Sequence, residues 1–532
     1  MTEPIESTSG DIGADGTKKS ITGMSRDTIR KLVQERVNSE NISDRPLQSK
    51  EFIKMPPEIS DDQIMRSLSS NQVGDAYLFA LLNQAQFLYD YSIREWFEFS
   101  NHLWRKDDRH RAVRAVNAVT YKYHEMLDKV SLKINADPDK TGHLKIVEKE
   151  LRRRINAMQT RGRINDILEL AAANFDELST DGNKWNENEW VLPVRNGVVD
   201  LKNGELYPGR PSDLLNVGCD THWIDIETPA PLFEKFVYDI LEDREKVEFL
   251  QRLFGYFITG MTTEEILALF YGRLGRNGKT KLIETIKFVL GMQLTGSLEV
   301  ESIIQAQQNR SAGGARSDIM SLRGKRLVTI SESEENHRFS MRIIKFLTGG
   351  YTVVGREMYA RSQTEFKPSH KFIVSSNFEL SANSDDEAFW ARVVRIDFPF
   401  RFVSNPTKQN EKLKDPNLIE KLKLESSGIL AWLVRGCLDW QINGLCPPDS
   451  VLESVSAYKN RQNPLYSFIS ECTQPGGATQ AADLYSRYSE FETRNGSEPI
   501  KMTMFGKKMK EKADSFTKGH VRYYRITLTD AP

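Results

Sequence analysis

The sequence predicts an α/β fold organised around a glycine-rich loop, with a mainly helical region before it and a smaller mixed domain after it. Three observations predict this. Residues 259–400 alternate strand-like and helix-like segments, the pattern of a mostly parallel sheet covered by helices. Within that stretch an apolar run, Ile266–Tyr271, enters a glycine-rich loop ending Gly278-Lys279-Thr280, and an amphipathic helix follows at once. Residues 71–188 read as mainly helical, with Val113, Val116, Val119, Tyr123 and Leu127 on or near one face.

In chain order, residues 1–70 read as disordered or loosely helical. They are rich in Ser, Thr, Gly and Asp and offer little apolar surface to offset ordering entropy. Short helices are expected around Ser25–Val37 and Asp61–Ser70. Residues 71–188 form the helical N-terminal domain. Residues 189–258 precede the loop-bearing core. They begin with two turn signals, Asn196-Gly197 and Asn203-Gly204, between short β-type runs, and return to helical spacing after Pro229 and Pro231. The core spans 259–400, a helical connection spans 401–445, and the C-terminal domain spans 446–532. That last domain reads as helices followed by a short strand, Tyr523–Leu528.

The 532-residue chain carries 73 Lys+Arg against 74 Asp+Glu, a formal net charge of -1. This excludes a uniformly basic nucleic-acid coat and an acidic solvating protein, so any polyanion site is a local patch. Two such patches stand out. Trp104–Arg163 holds sixteen Lys/Arg against eight Asp/Glu, including Arg152-Arg153-Arg154. Lys501–Arg525 holds eight against two, with Phe505, Tyr523 and Tyr524 interleaved. Each is a phosphate-backbone candidate or a solvated face. Four scattered cysteines without a C-x-x-C pair fit neither a disulfide scaffold nor a zinc ribbon. The opening residues show no basic-then-apolar leader, and no apolar run has membrane-spanning length. The expectation is a soluble, cytoplasmic protein with no membrane partner.

The loop Gly272–Thr280 supplies the first candidate site. Gly275 and Gly278 permit backbone conformations that turn successive N–H groups toward phosphate oxygens, and the helix N-terminus adds partial positive charge. Asn277 completes the turn. Lys279 is placed to reach the β and γ phosphates of ATP, and the Thr280 hydroxyl to ligate Mg²⁺. The usual spacing puts a first glycine at 273. Here that residue is Arg273, and the glycine stands one earlier, at Gly272.

Downstream, the β-prone run Leu327–Ser331 ends in acidic residues. Glu332 and Glu334, with Glu335 in reserve, can bind the metal and polarise an attacking water; Glu332 is the metal candidate. A third strand, Lys371–Ser376, ends at Asn377, whose amide can orient water beside a γ-phosphate. Arg392 follows fifteen residues later, then Arg395; either could be delivered in trans to a neighbour's γ-phosphate. Between the acidic strand and Asn377, Thr352–Val354, Gly355 and Met358–Tyr359 suggest a β-hairpin. Arg356, Tyr359, Arg361 and Lys367 suit it to phosphate contact and base stacking along a single strand.

The order GKT, strand-ESEE, LTGG…R, FKP, SSN and DEAFWARVVRIDF resembles the superfamily 3 helicase module. It is similar to the phage and plasmid helicase-primase family, shared with the poxvirus helicase-primase and satellite-phage replication proteins. The likeness covers about residues 75–530 and is densest at 190–400. The resemblance implies an AAA+-type core and a C-terminal winged-helix domain. It also implies a ring, usually a hexamer, with ATP and Mg²⁺ bound between subunits, that moves on single-stranded DNA and unwinds forked duplex. By motif it makes Lys279 and Thr280 the nucleotide and magnesium residues, Glu332 and Glu334 the acidic pair, Asn377 the sensor and Arg392 the finger. It places segment 356–367 in a DNA-lined pore. Two departures stand out: Arg273 in the loop, and Trp390-Ala391-Arg392 where the family usually pairs two arginines, which leaves Arg395 a finger candidate.

A primase centre needs paired aspartates at a strand end. Asp107-Asp108 and Asp137-Pro138-Asp139 lack that context, so the N-terminal region reads as a collar or loading region, with primase as a separate partner. The leading expectation is an ATP-dependent replicative helicase of a phage, plasmid or other mobile element. The alternative is an ATP-binding initiation or loading switch without processive unwinding. A small-molecule P-loop kinase is a more distant rival.

Overall fold

The computed structural model of the chain describes residues 58–137, 141–304, 317–331, 338–355, 364–463, 465–495 and 498–529. The expected helix at Ser25–Val37 lies outside them. The described chain opens with α1 (Asp61–Ser69), whose N-cap Ser60 and N3 residue Gln63 form a reciprocal capping box. α2 (Asn71–Asn83) follows. Strands β1 (Phe87–Asp90), β2 (Glu95–Ser100) and β3 (Leu103–Lys106) then form a meander. Three helices come next: α3 (Arg111–Ala136), α4 (Gly142–Met158) and α5 (Arg161–Asn174). β4 (Ser179–Thr180) closes the sheet β3-β2-β1-β4 by pairing parallel to β1.

The region is therefore less purely helical than its composition suggests, because the aromatic-rich run at 87–106 pairs as strands. The helices share one apolar core, and its polar centre is Asp75, fully buried. Arg154 donates to Asp75 at 2.7 Å, Tyr123 donates its hydroxyl at 2.6 Å, and Arg163 completes the cluster. A buried carboxylate needs such compensation. Burial, and then Asp75 itself, raise the Tyr123 phenol well above its ordinary value.

Both Asn-Gly signals form turns. β5 (Val191–Val194), β6 (Gly197–Asp200) and β7 (Glu205–Tyr207) make an antiparallel meander. α6 (Pro231–Leu241) and α7 (Arg244–Phe257) then lead into the core; Asp243 caps α7 by accepting from the Lys246 N–H.

The core alternates as expected. β8 (Leu267–Tyr271) leads to α8 (Lys279–Leu294) and β9 (Thr295–Glu299). A helical turn, α9 (Ser317–Met320), precedes β10 (Leu327–Ser331) and α10 (Met341–Thr348). A two-stranded antiparallel ribbon follows, β11 (Val353–Gly355) with β12 (Thr364–Phe366). The run ends with β13 (Lys371–Ser376), the short α11 (Glu387–Trp390) and β14 (Val393–Asp397). Five strands form one all-parallel sheet in the order β14-β8-β13-β10-β9.

Side-chain alternation serves two cores. Ala268, Phe270, Ile373, Val394 and Ile396 face the core that holds α8. Leu267, Leu269, Phe372, Val374 and Val393 face the other.

Residues 401–445 are not wholly helical. They open with a short parallel pair, β15 (Arg401–Val403) and β16 (Glu411–Leu413), before α12 (Leu418–Leu424) and α13 (Ser426–Asn443). α13 crosses α7 backbone to backbone, because Gly255 and Gly436 lack side chains at the crossing. A Cβ at Gly255 would lie 2.1 Å from the Cys437 nitrogen, and one at Gly436 2.1 Å from the Gln251 oxygen.

α14 (Asp449–Arg461) leads to the C-terminal domain: α15 (Tyr466–Cys472), β17 (Thr473–Gln480), α16 (Ala481–Arg494), α17 (Met502–Lys510), β18 (Ser515–Lys518) and β19 (Val521–Leu528). The expected last strand is the centre of an antiparallel sheet β17-β19-β18. Among the described residues no helix is long and apolar enough to cross a membrane, and no cluster of three metal-ligating side chains occurs.

Candidate functional site: the C-terminal edge of the parallel sheet

In a parallel sheet all strands end at one edge, and ligands bind there in the crevices beyond the carboxyl ends. Here that edge gathers the loop after β8, Ser331 at the end of β10, and Asn377 just past β13. Glu332 and Glu334 follow Ser331 in the chain, but they lie outside the described residues, as do Arg356, Tyr359 and Arg361.

The loop is built as a cradle. Gly275, Arg276 and Gly278 take positive φ of 62°, 50° and 86°. Such runs turn backbone N–H groups into a concavity suited to anions. Gly278 is needed for space as well, since a Cβ there would lie 2.6 Å from Ile240 Cγ2 of α6.

The displaced first glycine has a structural reason. Asn277, 4% exposed, donates its side-chain N–H to the Gly272 carbonyl at 2.9 Å and so staples the loop's two ends. A Cβ at Gly272 would sit 1.8 Å from Asn277 Nδ2 and 2.9 Å from Lys279 Nζ. Gly272 is thus the position that must be bare, whereas Arg273 points its side chain to solvent.

Lys279 opens α8 and is 3% exposed. Its Nζ donates to Ser376 O at 2.8 Å, Asn377 Oδ1 at 2.9 Å and Gly272 O at 3.2 Å. The structure therefore brings Lys279 and Asn377 together across 98 residues of sequence. Each of these three acceptors is an uncharged oxygen. Thr280, in the first turn of α8, is exposed and open to a ligand.

Arg392 is elsewhere. It directly precedes β14, and its carbonyl accepts from the N–H of Leu267, the first residue of β8. It thus sits at the amino edge of the sheet, a strand's length (roughly 13 Å or more) from the loop. Its guanidinium pairs with Glu265 and donates to Ala388 O at 2.7 Å, while its buried Nε has no hydrogen-bond partner among the described residues.

Arg395 lies on β14 itself, 4% exposed, with Glu379 at 2.6 Å and Asp397 at 2.9 Å. It covers the ring of Tyr271 at 4.1 Å. Arg461 of α14 joins Glu379 at 3.0 Å. A cavity of about 490 Å³ opens between this cluster and Gly272–Leu274.

The Glu379 cluster had no sequence signal. Its members come from three separate elements, and only the sheet register makes them neighbours. Burial pushes the Glu379 carboxyl up, but hydrogen bonds from Arg461 and Arg395 outweigh it and hold the group below its ordinary value.

Lys367 stands just past β12, at the root of the ribbon, and pairs with Glu189 at 2.6 Å. Among the described residues the ribbon's second strand is Thr364–Phe366; the expected Met358–Tyr359 lies outside the described residues.

The two basic segments differ in kind. In Trp104–Arg163, Lys106 pairs with Glu95, Arg111 with Glu98, Lys122 with Glu125, Arg152 with Glu148 and Arg153 with Glu150; Arg154 is buried against Asp75. Much of that excess is spent on the fold. Asp107 is a cap: its two oxygens accept from the Arg111 and Ala112 N–H groups at the start of α3.

Comparison with known proteins gives three kinds of likeness. Over 327 residues the chain is 25% identical to a protein of Acanthamoeba polyphaga mimivirus named as a helicase (L207/L206), covering 58% of this chain and 34% of the relative. It is 23% identical over 297 residues to Frog virus 3 protein 022R, also named as a helicase, covering 53% and 30%. It is 23% identical over 248 residues to African swine fever virus protein C962R, named as a primase, covering 44% and 25%. The chain spans about a third or less of the length of these curated relatives. Among solved structures, the NrS-1 C-terminal region aligns with 85% of this chain and 98% of that one, at 11% identity and a TM-score of 0.42. Residues 76–242 match the family described as D5 N terminal like, and the chain is separately similar to viral proteins named as helicase and primase.

Proposed function

We propose that this chain is an ATP-dependent DNA helicase of a replication system, with an AAA+-type core of the superfamily 3 class and a winged-helix-like C-terminal domain. The observation that carries the reading is the joining of Lys279 and Asn377 at the mouth of a left-handed glycine loop, on the carboxyl edge of an all-parallel sheet. The viral relatives named as helicase and primase support it.

In this reading the loop N–H groups and Lys279 hold the β and γ phosphates of ATP. Lys279 exchanges its bonds to Asn377 and the two carbonyls for phosphate oxygens. Asn377, released, orients the attacking water. Thr280 and Glu332 are the candidate holders of Mg²⁺, which when bound would neutralise charge on the phosphate oxygens. Glu334 polarises the water. Arg392 acts on a neighbouring copy's nucleotide in a ring, and residues 356–367 line its pore.

Lys279→Ala tests the site: ATP turnover falls to background while circular dichroism and melting stay unchanged. Wild-type turnover in that variant overturns the assignment. Strand displacement on forked DNA tests the motor. Turnover without displacement would favour the loading switch instead.

A further inference from the structure

Between β13 and α11 the chain runs through Asn377–Asp386 without a helix or strand of its own. The sequence there, NFELSANSDD, is mostly polar and turn-prone, so contacts from elsewhere must fix its path. At its start stands Asn377, whose Oδ1 accepts from Lys279 Nζ at 2.9 Å.

The rest of this strap is gripped by the chain beyond the sheet. Arg461 of α14 donates to the Glu379 carboxylate at 3.0 Å. Tyr458 of α14, fully buried, donates its hydroxyl to the Leu380 carbonyl. The Ala382 N–H donates to Gln462 Oε1, just past α14, at 2.9 Å. Lys508 of α17 donates to both oxygens of Asp385 at 2.9 Å. Further ties lead back to the core: the Ser381 carbonyl accepts from the Phe339 N–H at 2.9 Å, and Asp386 pairs with Lys345 of α10 at 3.0 Å.

The grips of α14 and α17 differ. Tyr458 belongs to the apolar core under the sheet, its ring 5.1 Å from that of Trp390, so α14 is fixed by burial. The hold of α17 is a polar pair. Within the basic segment Lys501–Arg525, Lys507 and Lys510 are exposed, whereas Lys508 turns inward and is 7% exposed. An ammonium so placed needs a carboxylate, and the strap supplies it. The pair exists only while the C-terminal domain is seated on the core.

We propose that Lys508 is a positioning residue for ATP turnover. Through Asp385 it holds the strap, and so sets where the Asn377 amide lies beside the γ-phosphate. Seating of the C-terminal domain thereby controls turnover from outside the nucleotide site. The inference rests on the reading of Asn377 given above and deepens it. For binding, such coupling is reciprocal: ATP that draws Lys279 away from Asn377 also changes the domain's hold on Asp385.

Steady-state ATP turnover of the full chain tests this with Lys508→Ala, Asp385→Ala and the double variant. Each single change is expected to lower kcat at least about fivefold while KM for ATP stays within about twofold, the mark of a misplaced catalytic group. The double variant is expected to lose no more than either single one, since both remove the same link. Lys508→Arg, which keeps the charge, recovers most of the turnover, and Lys510→Ala, exposed on the same helix, matches the parent. Parent-like kcat in both single variants overturns the proposal, and so do losses that multiply in the double variant. Should Lys508→Ala melt early, Asp385→Ala, which lies outside the C-terminal domain, must still lower kcat, or the proposal fails. A second readout needs no turnover. Hydrogen exchange across α17 is expected to change when a non-hydrolysable ATP analogue is added to the parent, and not in Lys279→Ala; unchanged exchange in the parent overturns the coupling. Asn377→Ala separates the two readings. Parent-like kcat there removes the role of Asn377 and this inference with it, whereas a lost kcat there beside parent-like Lys508 variants removes this inference alone.

Discussion

At the scale of single residues, the glycine loop after β8 shows how one glycine is dictated by its neighbours. Gly272 is bare because Asn277 and Lys279 occupy the space a side chain would fill. Gly272→Ala is therefore expected to weaken ATP binding at least tenfold, about 1.4 kcal/mol, with little change in melting. Arg273→Gly, which restores the usual spacing, is expected to change affinity less than twofold, because Arg273 is exposed and outside the staple. Titration with a fluorescent ATP analogue measures both. Glu379 supports a pH prediction. Its folded carboxyl lies below the ordinary value of 4.5, so its stabilisation is complete above that value and is lost as pH falls through the lower folded value. Glu379→Gln leaves the buried Arg395 one carboxylate short and should cost about 1–3 kcal/mol at neutral pH. The difference from wild type, measured by urea unfolding, should stay flat down to about pH 5 and shrink below about pH 4. A difference that grows in acid would refute the pairing as the source.

At the scale of elements, the α7–α13 crossing is the packing contact most sensitive to one methyl group. With a Cβ at Gly255 2.1 Å from main-chain nitrogen, relief requires the helices to move apart. Gly255→Ala should cost about 1–3 kcal/mol or more by overpacking. Gly142→Ala, where a Cβ meets nothing within 4 Å, should stay within about 0.5 kcal/mol. Chemical denaturation of the two variants compares them directly. Elements were legible in the sequence where local chemistry was decisive. Leu327–Ser331 and Lys371–Ser376 are β-branched or apolar runs bounded by polar residues, and both Asn-Gly pairs form the expected turns. The meander at 87–106 was hidden because its aromatics also suit a buried helix. β17, TQPGGATQ, carries two glycines and a proline, and it becomes a strand only because β19 supplies the pairing, with a register shift between Pro475 and Thr479. The same limit applies to function: the loop could be read from nine adjacent residues, whereas Glu379, Arg395 and Arg461 meet only after the sheet is assembled.

At the scale of the whole molecule, the two ends of the parallel sheet carry different parts of the proposed chemistry. Lys279 and Asn377 lie at the carboxyl edge, and Arg392 at the amino edge of β14, tied to Glu265. A guanidinium cannot cross the sheet, so within one chain Arg392 has no route to the glycine loop after β8. If it serves hydrolysis at all, it does so on another copy, in a head-to-tail arrangement that places one subunit's amino edge against the next one's carboxyl edge. Such a heterologous contact closes into a ring when its rotation permits. Arg392→Ala should then bind ATP with near-parent affinity yet turn over at least about 10³-fold more slowly, the scale of an arginine finger. Lys279→Ala should fail to bind. Mixed in equal amounts, each inactive protein lends the other its intact half: an Arg392 from the Lys279→Ala subunit faces a competent loop on the Arg392→Ala subunit. Activity should reappear on mixing and rise with total concentration. If every ratio stays inactive while gel filtration shows mixed oligomers, Arg392 does not act across the junction, and its bond to Glu265 is structural.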